Sequence, residues 1–222
     1  MSKKIILLAL AAASVAAFAL PAMAMAEDAP LHLVPQPIGT KTVDGEGAVV
    51  WTSSAGNMTC TSSNGTVTFN TSTTGTLELT FHGCTGPFKE PCTTSGQPSG
   101  TITTTQLPFH LVTVEDSVTH ATGPGILVTP NETTGDVAHY TCGFVSVNIG
   151  GNGLIGTITK PKCGESSSEP TIEFSSSSNA VQTHKTVVGT TTEYSLSSGG
   201  SAASVDASIR ITLGEAAKLE CT

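Results

Sequence analysis

The stretch FHLVTVEDSVTH places His110, Glu115, Asp116 and His120 within eleven residues. An imidazole beside a carboxylate can take up or deliver a proton near neutral pH. Two imidazoles and an acid can instead hold a metal ion. Either use requires the segment to fold back as a hairpin, so that its two ends meet. His110, Asp116 and His120 are therefore the candidate catalytic residues. The plainer expectation is a polar strand face that ends in an acidic turn.

Other chemistry finds little footing. Serines are abundant, but no G-x-S-x-G stretch exists to present one as a nucleophile. No H-E-x-x-H pair is present. His82 alternates with Glu78 along one polar strand face and is expected at the surface. Sugar-binding proteins commonly stack rings on exposed aromatics, but Trp51 follows GAVV and is expected in the core, leaving Tyr140 and Tyr194. Four Asn-x-Ser/Thr sites begin at Asn57, Asn64, Asn70 and Asn131, a pattern that arises easily in a Thr-rich chain.

GGNGLIG, residues 150–156, contains the spacing G-x-G-x-x-G. In dinucleotide-binding enzymes those glycines turn a strand into a helix whose amino end meets a pyrophosphate. Here the following residues, LIGTITKP, are β-branched and soon reach Pro161, so no helix follows. The motif reads as a hairpin turn, with Gly156 a bulge or a close contact between strands. No cofactor is expected.

The elements that must position these residues alternate at period two. In TGTLELTFHGC, Leu77, Leu79 and Phe81 share one face, and Glu78, Thr80 and His82 the other. In VDASIRITL, Val205, Ala207, Ile209, Ile211 and Leu213 face one way. Turn signals such as Asn64-Gly65, Pro124-Gly125 and Ser198-Gly199-Gly200 separate many short runs. Only GEAAKLE, near the end, suits a short helix. This texture predicts an all-β fold, an antiparallel sandwich or partly open barrel.

The chain opens with Lys3 and Lys4, then an uncharged apolar run over residues 5–20, Pro21 and the small-residue site Ala24-Met25-Ala26. That is the pattern of a cleaved signal peptide over residues 1–26, too short to span a bilayer, which takes about 20 residues. Its style is bacterial, so no glycans are expected. Residues 27–47, rich in Pro and Gly, read as an extended leader or linker, and 48–222 as a single β-rich domain. Cleavage removes two of nine Lys and Arg and no acid, moving the net charge from −8 to −10. Such a chain lacks the cations that displace counterions from phosphates, so nucleic acid is excluded as a partner. No second apolar stretch reaches membrane length.

Six cysteines follow the signal: Cys60, Cys84, Cys92, Cys142, Cys163 and Cys221. An even count on an exported chain predicts three disulfides. Spacing favours Cys84–Cys92, across the short loop CTGPFKEPC, and leaves the others open.

The succession MTCTSSNGTVTF, LTFHGC, CTTSGQPSGTITTTQLPFHL and YTCGFVSVNIGGNGLIGTIT resembles a group of uncharacterised secreted bacterial proteins. The likeness covers residues 56–159 and is most specific at Cys92, Gly96 and Gly100. It implies an exported, β-rich protein and brings no activity, cofactor or catalytic residue. It also implies the pairing Cys60–Cys142, with Cys163–Cys221 as an additional staple. The expected function is a secreted or cell-surface, non-enzymatic binding or structural module whose partner is a protein or cell-wall glycan. The alternative is a secreted hydrolase acting on cell-wall polymer or polysaccharide.

Overall fold

A computed structural model describes residues 31–37, 39–53, 56–116, 119–176 and 185–221. The expected signal peptide lies outside the described residues. Among them are nineteen strands and no helix. Eight strands close an antiparallel barrel in the order β2 (Thr40–Gly45), β5 (Ser62–Phe69), β6 (Thr74–His82), β9 (Leu107–Asp116), β10 (Thr122–Val128), β13 (Leu154–Lys160), β15 (Thr171–Phe174) and β18 (Ser201–Thr212). β18 pairs with β15 on one side and β2 on the other, which completes the circuit. Threonine and the β-branched aliphatics suit such pleated, half-buried walls. The alternation works as expected: Leu77, Leu79 and Phe81 are buried while Glu78 and His82 are exposed.

Apolar side chains fill the barrel. Phe69 and Phe109 meet edge to face with ring centroids 5.5 Å apart. The space left beside them is about 20 Å³ and wholly apolar in lining, as in a packed core. A small sheet of β1 (His32–Val34), β19 (Ala217–Glu220) and β14 (Ser166–Ser167) lies at one mouth, where Leu33 and Leu219 reach the same interior.

β18 outruns the barrel. Its first half carries β17 (Leu196–Ser198) on one side and β3 (Val49–Ser53) on the other. From β17 the sheet continues to β12 (Val145–Gly151), β11 (Asp136–Cys142) and β7 (Cys92–Thr93), and from β3 to β4 (Gly56–Cys60). Single bridges from Thr59 to Thr85 and from Thr85 to Pro91 join β4 to β7. This second sheet thus also returns on itself, and β18 is a wall of both rings. β8 (Ile102–Thr103) pairs with the end of β6, and β16 (Lys185–Val187) with the end of β9. The main core runs from Leu31 to Leu219, and a smaller second cluster packs Val112, Val114, Leu127, Ile155, Val187 and Tyr194. Trp51, 3% exposed, joins the main core by packing edge-on against Phe81.

Several expectations are corrected. From residue 31 on, the supposed leader is part of the fold: Leu31, Leu33 and Val43 are buried, because the barrel needs β2 to close. GEAAKLE contributes β19, since β1 and β14 offer it ladder partners on both sides. The glycine motif is a turn but not a hairpin, because β12 pairs with β11 and β17 while β13 pairs with β10 and β15. It is a corner between the two rings, with Gly151 at φ 124° and Gly153 at φ 149°. Asn152 fixes that corner by donating to Glu193 O and accepting from Ser195 N–H, both at 2.8 Å. Gly156 is a close contact: a Cβ there would lie 2.7 Å from Ile172 and from Phe174.

The disulfides are Cys60–Cys84, Cys92–Cys142 and Cys163–Cys221. The third is the staple the resemblance implies, whereas Cys84–Cys92 and Cys60–Cys142 are not formed. The physical reason is sheet register. The four cysteines sit in one row across adjacent antiparallel segments. Thr59 and Thr85 exchange both backbone hydrogen bonds, which makes the next pair, Cys60 and Cys84, the close kind with Cα atoms 3.9 Å apart. Cys92 and Cys142 are likewise direct partners, 4.1 Å apart. Cys84 and Cys92 face each other too, but there the Cys92 N–H donates to Cys84 O, the wider kind of pair. Each cysteine bonds to its nearer neighbour.

Candidate functional site

The segment singled out in the sequence does turn back, between β9 and β10, and brings Glu115, Asp116 and His120 together while leaving His110 apart. His110 pairs with Leu127 and Thr74 midway along the barrel wall. Asp116 is six residues further along β9, about 20 Å at strand rise. At the turn, Glu115 Oε1 lies 2.7 Å from His120 Nδ1. Asp116 Oδ1 accepts from the Thr119 N–H at 2.8 Å and from its hydroxyl at 3.0 Å, and Asp116 O accepts the His120 N–H. These carboxylates hold a tight turn whose His120 has φ 56°. The acidic turn is present, but the strand face leading to it is not polar: between His110 and Asp116 it carries Val112 and Val114, buried with Leu127, Ile155, Val187 and Tyr194.

The other histidines are also occupied locally. His82 Nε2 is 2.6 Å from Asn64 Oδ1, and His139 Nε2 is 2.9 Å from Ser146 Oγ, both pairs exposed on sheet faces. His32 Nε2 lies 3.3 Å from Glu220, and Lys218, 3.0 Å away, holds that carboxyl below its ordinary range. His184 lies outside the described residues. Among the described residues no group of three or more His, Cys, Asp or Glu is placed to hold a metal ion. An open groove of about 580 Å³ beside Pro35, Pro37 and Leu213 brings together only Lys41 and Glu215 as charged groups.

A different place stands out. Phe88 is 91% exposed, Phe144 106% and Val145 53%, while the rest of the aromatic complement described is buried or half-buried. Two short turns carry them. In residues 84–92, the Gly86 N–H donates to Glu90 O and the Lys89 N–H to Gly86 O, at 2.9 and 3.0 Å. This is a three-residue hairpin loop over Pro87, Phe88 and Lys89, in which Lys89 adopts the left-handed conformation at φ 64°. Glu90 turns its carboxylate back and accepts the Phe88 N–H at 2.9 Å. The turn's N–H groups are thus bonded within it, and the phenyl points outward.

The second turn joins β11 to β12. Cys142 pairs with Val145, leaving only Gly143 and Phe144 at the tip. Gly143 at φ 57° supplies the positive first position that such two-residue turns favour. The two turns touch: a Cβ at Gly143 would sit 3.5 Å from Glu90 Cγ, and one at Gly86 3.4 Å from Cys142 Cβ. The Cys92–Cys142 bond ties their bases together, and Cys60–Cys84 ties the first to β4. Between them opens a hollow of about 60 Å³, floored by Met58, Tyr140 and Val147 and rimmed by Pro87, Phe88 and Val145. Burial pushes the Tyr140 hydroxyl up to about 12. The site is a rigid apolar tip at the open end of the second ring.

Sequence reasoning passed over Phe88 and Phe144. The available signal was position: each is a large apolar residue in a turn, beside Pro or Gly and within four residues of a cysteine. No protein-family model, curated protein or solved structure matches the chain.

Proposed function

We propose that the protein is a secreted or cell-surface, non-enzymatic binding module that engages its partner through this tip. The observation that carries the reading is the near-complete exposure of Phe88 and Phe144 on two covalently linked turns. Large apolar side chains gathered at one place on a surface mark interaction sites. Three disulfides and an apolar-filled barrel suit a rigid scaffold for such a surface. No helix among the described residues is long and apolar enough to cross a membrane. The hydrolase alternative rests on His110, Asp116 and His120, which do not converge.

The test uses mature, disulfide-bonded protein and a cell-envelope fraction. The parent is expected to pellet saturably without releasing soluble sugar. F88S/F144S is expected to lose that binding while keeping its far-UV circular dichroism and all three disulfides. Equal binding by the double variant would refute the reading.

A further inference from the structure

Resting on that reading, we infer that the partner of the tip is a phospholipid surface of net-neutral head groups, into which Phe88 and Phe144 insert. The first turn leaves none of its backbone N–H groups to lose water on insertion. Gly86, Phe88 and Lys89 N–H groups are bonded within the turn, and Pro87 has none. Unbonded peptide groups are what make irregular backbone costly at the edge of hydrocarbon. Here residues 86–89 have no donor left to strand.

Charge selects the kind of surface. Lys89 is the one outward-facing formal charge on the two turns, because Glu90 is folded back onto Phe88 N–H. A single lysine on a flexible stem can reach the phosphate level while the phenyls lie deeper. The remainder of the chain is acidic, with a net charge of −8 before signal removal, and opposes approach to an anionic surface. A zwitterionic interface satisfies both.

Area argues against a second copy as the occupant. A large aromatic covers about 150–250 Å², so two phenyls and a half-exposed valine offer about 400–500 Å². A standard stable interface takes about 800 Å² from each partner. A fluid surface needs no complementary pockets and accepts two separate projections.

The experiment is flotation of mature, disulfide-bonded protein with phosphatidylcholine vesicles, repeated with vesicles containing one-third phosphatidylglycerol. The parent is expected to float with the first and no more strongly with the second. F88S and F144S are each expected to lower partitioning about tenfold or more. F88W is expected to bind at least as well as the parent and to show blue-shifted emission on adding vesicles, a signal that Trp51, being buried, does not supply. Absence of flotation, flotation unchanged in F88S/F144S, or clearly tighter binding to the anionic vesicles would each overturn the inference. Tip-dependent binding to a delipidated envelope fraction without vesicle binding would overturn the lipid partner alone and leave the binding-module reading standing. Loss of tip-dependent binding to every fraction would remove both.

Discussion

Two turns at different places in the molecule invert the roles their residues suggest. The β9–β10 turn is rich in chemistry-bearing side chains, yet each is spent on the turn itself: Glu115 on His120, Asp116 on Thr119. In the stapled tip the first turn bonds its own N–H groups through Gly86 O and Glu90, and the large apolar side chains are left over. A side chain is available for a partner only when the local structure has no use for it. Titratable residue type alone is a poor guide to that; unmet contact area is a better one.

The comparison is broken most directly by removing what holds each turn. Replacing Cys92 and Cys142 together with alanine opens a link between residues 50 apart in sequence. It is expected to lower unfolding stability by about 2–4 kcal/mol, read as a fall in the urea midpoint. The same substitution should weaken tip-dependent binding, since the two turns then move independently.

Alkali tests the floor of the tip. The Tyr140 hydroxyl is raised from 10.0 to about 12 by burial. A raised value means the folded state favours the protonated phenol. Its contribution is therefore complete below pH 10 and lost as pH climbs from 10 toward 12. The full loss is about 2–3 kcal/mol, since each tenfold change in proton affinity is worth about 1.4 kcal/mol. Denaturant unfolding at pH 9 and pH 11.5 should differ by most of this in the parent and by much less in Tyr140→Phe.

The smallest effect belongs to the turn that looked most chemical. His120 is 76% exposed where it meets Glu115. Glu115→Gln is expected to cost under about 1 kcal/mol, in keeping with exposed ion pairs, with an unchanged denaturant slope. A loss of several kcal/mol would show that this turn is a structural keystone and would reverse the ranking.

The strands were legible because one face of each is dry: the alternation through Leu77, Leu79 and Phe81, or Val205, Ile209 and Ile211, records burial directly. What pairs with what was not. Cys60 and Cys84 meet because β4 lies beside the segment after β6, a register that arises only once both rings have closed. The same holds for residues 31–45, whose Pro and Gly content resembled a linker although Leu31, Leu33 and Val43 enter the core. The tip was hidden for another reason. Phe88 and Phe144 break the alternation, and an apolar residue in a turn acquires meaning only when nothing folds over it.

The strand common to both rings has a further consequence. β18 contributes its first half to the wall bearing the tip and its second half to the barrel. The two rings are therefore joined along one continuous strand and share one buried cluster, so loss of the barrel half of β18 would leave the wall of the tip without its anchor. The turns at residues 87–89 and 143–144 lie outside that shared wall. They are the part of the chain where a new specificity can be written at little risk to the rest.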